Sequence, residues 1–234
     1  MMKEELQTKP LTGNFGPSLP EIVLVLTPLF LFVKLAEEVF VENDTSYLDW
    51  YLLSYFHSFA TPSLDRVMLF FTFLGSVKFY FAAFPVTLAI LAWRRRWWEL
   101  GGLSFSFMGA LLFNHLLKMG FHRVRPNLYF IKETGYSFPS GHAMVTLVFY
   151  GALLFFTFQH TSSRKWRNLL AILAMFLILA IGISRVYLGV HYPSDVLGSY
   201  LAGFCWLVIS IIVIKRLYYK RVFPRNPAVF RNPS

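Results

Sequence analysis

The chain has 234 residues, of which 56% are hydrophobic, 19% aromatic and only 15% charged, and its mean hydropathy is +0.52. That balance excludes an ordinary soluble domain and points to an all-α integral membrane protein. The formal charge of +10 fits cytoplasmic loops facing anionic lipid better than a nucleic-acid surface, and the lone cysteine, Cys205, inside an apolar run, excludes an intrachain disulfide.

A spanning helix needs about 20 mainly apolar residues. Six such runs lie between charged or turn-forming breaks, at 20–41, 69–93, 98–117, 141–159, 168–184 and 195–214. The preceding stretch 1–19 is polar, with Pro and Gly punctuation. It lacks the basic start, short apolar core and small-residue cleavage site of a signal peptide, so a retained cytoplasmic tail is expected. The first span contains Pro28 and carries Lys34, Glu37 and Glu38, which takes its outer half toward the membrane surface. After it comes Asn43-Asp44-Thr45, a glycosylation sequon of a kind common by chance. The stretch TSYLDWYLLSYFHSFATPSLDR (45–66) mixes apolar and polar residues at near-helical spacing and predicts an interfacial helix lying flat on the bilayer, with His57 as an interface side chain.

Basic residues set the orientation. With both termini cytoplasmic, one side collects Lys3, Lys9, Arg94 to Arg96, Arg164, Lys165, Arg167 and the basic tail 215–234, which holds Lys215, Arg216, Lys220, Arg221, Arg225 and Arg231. Trp93, Trp97, Trp98 and Trp166 sit beside these clusters, at headgroup level. The outer side has only Arg66, then Lys118, Arg123, Arg125 and Lys132 in the third-to-fourth connection, and Arg185 after the fifth span.

Those few outer residues carry the chemistry. KMGFHRVRPN (118–127) packs three cations and His122 into eight residues on the side where cations are disfavoured; Pro126 then ends any helix. Snorkelling explains one or two such cations, but this concentration is most simply an anion site, since guanidinium groups bind phosphate oxygens bidentately. The second element is FPSGH, before the fourth span. Pro139 restricts the chain, Ser140 is a favoured N-cap, and Gly141 and His142 enter the first helical turn, where free N–H groups and the helix dipole attract an anion. Alone, His142 would be a satisfied helix-end histidine; beside a cationic loop it is a candidate proton donor. The third is SRVYLGVHYPSD (184–195). Arg185 complements a helix C-terminus, and Asp195 suits a first turn, but His191 and Asp195 are spaced so that the carboxylate reaches the imidazole across Pro193.

Span topology brings the three elements to one face. Cations, a helix N-terminus, two histidines and one carboxylate suit a phosphate monoester or diphosphate. A metal fits less well, because a single carboxylate among crowded cations repels a divalent ion, so no cofactor is expected.

The ordered pattern of Lys118, six residues, Arg125-Pro126; then Pro139-Ser140-Gly141-His142; then Ser184-Arg185, five residues, His191, three residues, Asp195 resembles the three-part signature of the type 2 phosphatidic acid phosphatase superfamily. The signature covers 118–195, and the six-span layout resembles the membrane lipid phosphatase branch over nearly the whole chain; six spans argue against the soluble acid phosphatases and vanadium haloperoxidases that share it. The resemblance implies His191 as nucleophile forming a phosphohistidine, Asp195 orienting it, His142 as general acid, and Lys118, Arg125, Arg185, Ser140 and Gly141 binding phosphate without a metal. Arg123 stands where many relatives have a further arginine. His122, His115 and His160 have no place in the signature.

It also implies a multi-pass protein of the plasma or bacterial inner membrane, a single phosphatase domain over 1–234 with its site on the outer side. Bacterial relatives act on phosphatidylglycerophosphate, phosphatidic acid, diacylglycerol diphosphate, undecaprenyl diphosphate or lipid A phosphates. The expected partners are a lipid phosphate and the bilayer, with no nucleic acid and no obligate protein. A competing reading, a transporter or binder of phosphorylated lipid, rests on the intramembrane charges Lys34, Glu37 and Lys78.

Overall fold

The computed structural model of the protein describes residues 18–42, 45–126, 131 and 133–222. Lys3, Lys9, Asn43, Asp44, Lys132, Arg225 and Arg231 lie outside the described residues, and with them the expectations for the N-terminal tail, the sequon and the end of the basic tail.

Among the described residues the regular structure is helical. α1 (Leu19–Glu37) begins with the Ser18 N–H donating to the Glu21 carboxylate, continues through Pro28, and ends in a π-helical turn at Glu38–Glu42. Then follow α2 (Thr45–Ser58), α3 (Pro62–Leu74), α4 (Val77–Trp93), α5 (Trp97–Phe121), α6 (Gly141–His160), α7 (Arg164–Tyr187) and α8 (Pro193–Val222). By length and apolarity α1, α5, α6, α7 and α8 are each able to cross a membrane; α3 and α4, bent by 47°, pass the same test only together, which gives six spans when the pair is counted as one.

The six-span layout holds, but four boundaries move. The expected interfacial helix stops at Ser58. Pro62 suits only a first helical turn, and Thr61 accepts the Leu64 N–H at 3.2 Å, so a new helix starts there. The second span, expected as one run from 69, breaks at Gly75-Ser76, where the Ser76 hydroxyl accepts the Phe79 N–H at 3.2 Å and starts α4. A Cβ at position 75 would meet Ile181 Cγ2 at 2.5 Å and His142 Cδ2 at 3.3 Å; glycine lets this corner press against α6 and α7. The third and sixth spans run longer than expected, placing Lys118 in the last turn of α5 and residues 215–222 within α8.

Packing follows membrane rules: lipid tails supply no hydrophobic drive between helices, so close approach and polar contacts hold them together. Gly182 of α7 lies so near Tyr200 of α8 that a Cβ would fall 1.9 Å from the phenolic oxygen, and that hydroxyl donates to the Ile178 carbonyl at 2.7 Å. Trp206 of α8 donates to the Ser106 carbonyl of α5 at 2.8 Å. A core of Tyr80, Leu103, Phe107, Val148 and Phe149 joins α4, α5 and α6. Phe30 and Val33 of α1, Phe81 of α4 and Ile172 of α7 face outward, as lipid requires. The ends of α1, α5 and α7 and the starts of α2, α6 and α8 meet at one end of the bundle, where Arg123 bonds Asp49 and the Ser140 N–H donates to the Asp195 carbonyl at 3.3 Å.

Candidate active site

Two left-handed turns bring the motif residues inward. α5 ends at His122 (φ 52°), whose N–H donates to the Lys118 carbonyl; the chain then carries Arg123 and Arg125 back across the bundle end. After α7, Gly189 (φ 68°) reverses the chain so that the N–H groups of Val190 and His191 both donate to the Arg185 carbonyl. Pro193 then opens α8 with Asp195 in its first turn.

His191 is 1% exposed and sits between two partners. Arg125 Nη1 lies 3.1 Å from its Nε2. A guanidinium only donates, so Nε2 carries the lone pair and the proton is on Nδ1, 3.4 Å from Asp195 Oδ2. That oxygen also accepts the Tyr192 N–H at 2.9 Å, while Asp195 Oδ1 accepts from Arg123 at 2.6 Å. Burial first, then the charges of Arg185, Arg125 and Lys118, hold the His191 pKa well below the usual 6.5, so the ring is neutral near pH 7. The site therefore holds an oriented, unprotonated imidazole nitrogen beside a guanidinium.

Arg185 is fully buried. It donates to Thr72 Oγ1 and, at 2.7 Å, to Glu133 Oε1; the other Glu133 oxygen is 3.9 Å from Arg125. These two guanidinium groups thus already face an anion. Arg185 Nε and Ser140 Oγ are buried and have no hydrogen-bond partner among the described residues. An unmet buried donor costs about 1–3 kcal/mol, which an oxygen-rich ligand offsets. Lys118 Nζ donates to the Tyr136 and Ser137 carbonyls. His142, in the first turn of α6, lies within electrostatic range of His191, Arg185, Arg125 and Lys118.

All eight motif residues named from the sequence meet here, with three differences in detail. Ser140 occupies the N-cap position, but its hydroxyl makes no capping bond. Gly141 has a close neighbour: a Cβ there would stand 3.1 Å from Asn114 Oδ1, and Asn114 Nδ2 donates to the Pro139 carbonyl at 3.3 Å, holding the turn. The expectation of a single carboxylate is also corrected, because the fold adds Glu133 and Asp49, each bonded to an arginine. Asn114, which holds the Pro139 turn, stands out in the sequence as a polar residue amid an apolar span; Glu133 and Asp49 carry no such mark. His122 stacks edge-on against Tyr136, with centroids 4.5 Å apart, and His160 pairs with Glu99 at 2.6 Å toward the other end of the bundle.

A helical membrane bundle that converges guanidinium groups, a helix N-terminus and a neutral imidazole defines a membrane enzyme of phosphate chemistry. The family model of the PAP2 superfamily matches residues 99–219, and the chain belongs to that superfamily. It is 35% identical over 145 residues to phosphatidylglycerophosphatase B of Bacillus subtilis, covering 61% of this chain and 71% of that one. It is 32% identical over 139 residues to an undecaprenyl-diphosphatase of Sulfolobus acidocaldarius, covering 56% and 62%. The crystal structure of a transmembrane PAP2 type phosphatidylglycerolphosphate phosphatase from Bacillus subtilis matches with a TM-score of 0.76 at 27% identity, over 87% of this chain and 99% of that one. Aquifex aeolicus LpxE matches with a TM-score of 0.57 at 25% identity, over 70% and 94%. The protein is a membrane phosphatase of the lipid phosphatase type.

Proposed function

We propose that the protein cleaves a phosphate monoester or diphosphate of a lipid, at the outer membrane face, through a phosphohistidine and without a metal. The observation that carries this reading is a cavity of about 340 Å³ lined by Gly75, Val77, Phe81, Phe84, Leu111 and His142. Val77, Phe81 and Leu111 are exposed on the membrane-facing surface, so an apolar path runs from the lipid to the proposed acid. A lipid tail lying there presents its ester oxygen to His142 and its phosphate to Arg125, Arg185 and Lys118.

In this mechanism the phosphate takes Arg125 away from His191 Nε2. The freed lone pair attacks phosphorus; the N–P bond forms as the P–O bond to the lipid breaks, and His142 gives its proton to the departing oxygen. Asp195 stabilises the positive ring through Nδ1–H. Water then attacks phosphorus, His142 takes its proton, the N–P bond breaks, and inorganic phosphate leaves. Asp49, Asp195 and Glu133 are each engaged by a guanidinium, which leaves none of the three free to hold a divalent cation. The outer-face assignment is supported by Arg94 to Arg96, Arg164, Lys165 and Arg167, which lie at the helix ends opposite the site.

Of the charges that suggested transport, Lys34 and Glu37 pair at 2.7 Å on an exposed face of α1, and Lys78 is exposed on α4. Purified protein is expected to release phosphate from at least one lipid mono- or diphosphate at a rate EDTA does not change; strict EDTA sensitivity overturns the metal-free step, and no release from any of them favours binding or transport. Filling the cavity with Leu111→Trp is expected to raise KM for a long-chain lipid phosphate by roughly tenfold while leaving p-nitrophenyl phosphate within about twofold. Equal effects on both substrates would place the tail elsewhere.

A further inference from the structure

α2 contributes a carboxylate to the site from outside the motif segments. Asp49 is 2% exposed, although Tyr47, Leu48, Tyr51 and Tyr55 of the same helix face outward. Its Oδ1 accepts the Ser194 N–H at 3.0 Å, and its Oδ2 accepts the Ser194 hydroxyl at 2.5 Å and Arg123 Nη2 at 2.7 Å. Arg123 turns its other nitrogen, Nη1, to Asp195 Oδ1 at 2.6 Å and to the Ser194 hydroxyl at 2.7 Å, and lies over the Tyr192 ring at 4.4 Å. A continuous polar chain therefore runs from Asp49 through Arg123 and Asp195 to His191.

We propose that Asp49 is a positioning residue for catalysis: by sharing Arg123 it keeps the Asp195 carboxylate aimed at His191 with its charge uncancelled. The proposal rests on the phosphohistidine reading above. A guanidinium bonded to Asp195 alone would neutralise it, just where positive charge builds on the ring as Nε2 attacks. With Asp49 present, the group of two carboxylates and one guanidinium keeps a net negative charge that the imidazole Nδ1–H can use. The bonds to Ser194 also tie α2 to the first turn of α8, which sets the approach of Asp195. The charged and titratable groups facing His191 directly are Lys118 of α5, Arg125, His142 of α6, Arg185 of α7 and Asp195 of α8, and the test variants alter none of them.

The test compares full-length wild type, Asp49→Asn, Asp49→Glu, Arg123→Lys and His191→Ala in lipid nanodiscs, with dioctanoyl phosphatidate as substrate from pH 5 to 9 and rates normalised to folded protein. Asp49→Asn is expected to lower kcat about tenfold or more with KM within about twofold, as loss of a group that orients a reacting residue does, and Asp49→Glu to restore most of it. The acid limb of kcat should move to lower pH in Asp49→Asn, because the ring loses a net negative neighbour. Unchanged kcat per folded molecule, or equal losses in both Asp49 variants with an unmoved limb, overturns the proposal and leaves Asp49 a docking residue. Should Asp49→Asn not fold, Arg123→Lys decides: one ammonium cannot bridge two carboxylates as a guanidinium does, so kcat should fall with KM held, and an unchanged kcat overturns the proposal. Wild-type turnover no higher than that of His191→Ala would sink the phosphatase reading itself, an outcome distinct from loss in the Asp49 variants alone.

Discussion

Replacing His191 with alanine is expected to lower phosphate release by at least about 1,000-fold, because it removes the proposed covalent nucleophile. The ring is buried, its Nδ1 faces Asp195 at 3.4 Å, and its Nε2 faces Arg125 at 3.1 Å, so orientation and tautomer are both set before substrate arrives. Arg125, Arg185, Ser140 and the first turn of α6 remain in the variant. Binding of orthophosphate should therefore persist within a few-fold while turnover disappears. Alkaline denaturing quench of wild type with radiolabelled substrate should trap a base-stable, acid-labile phosphoryl group on the chain, and His191→Ala should carry none. Label on the alanine variant, or residual turnover within tenfold of wild type, would move the covalent step to another residue.

The spans were readable because each is an apolar run bounded by charge, and no tertiary contact is needed to see that. The break at Gly75-Ser76 was less readable because apolar residues flank it on both sides, although Ser76, which caps α4, is a local sign of it; the close approach of Ile181 and His142 to Gly75 comes from distant segments. The motif residues were readable for a related reason: Lys118, Ser140 to His142, Arg185, His191 and Asp195 all lie at span ends, and helix ends on one face must converge. Their supports come from greater distances along the chain. Thr72 meets Arg185 across 113 positions, Glu133 meets Arg185 across 52, and Asp49 meets Ser194 across 145. In the sequence Asp49 is one polar residue in an amphipathic helix, and only the packing of α2 against α8 makes it part of the site. Ser140 holds the N-cap position that its residue type favours, yet its hydroxyl makes no capping bond and is unpartnered among the described residues, a detail that N-cap preference does not predict.

His142→Ala is expected to separate the two halves of the reaction. With a lipid phosphate, whose departing alkoxide is a strong base, loss of the proton donor should reduce turnover by about 100- to 1,000-fold. With p-nitrophenyl phosphate the departing oxygen needs little protonation, so formation of the phosphohistidine should slow by only about tenfold or less. The second half still needs a base to take a proton from the attacking water. The variant should therefore show a burst of p-nitrophenol close to one equivalent of enzyme, followed by a slow phase, and labelled phosphoenzyme should accumulate. The position of the ring supports both roles: it stands in the first turn of α6, it lines the apolar cavity through which the lipid would leave, and Gly75 makes room for it from the α3–α4 corner. His191→Ala offers the contrast, since it should be inactive toward both substrates and give no burst. Equal losses on the two substrates in His142→Ala, with no phosphoenzyme, would show that His142 binds phosphate and does not move protons; retained lipid turnover would assign the acid to another group.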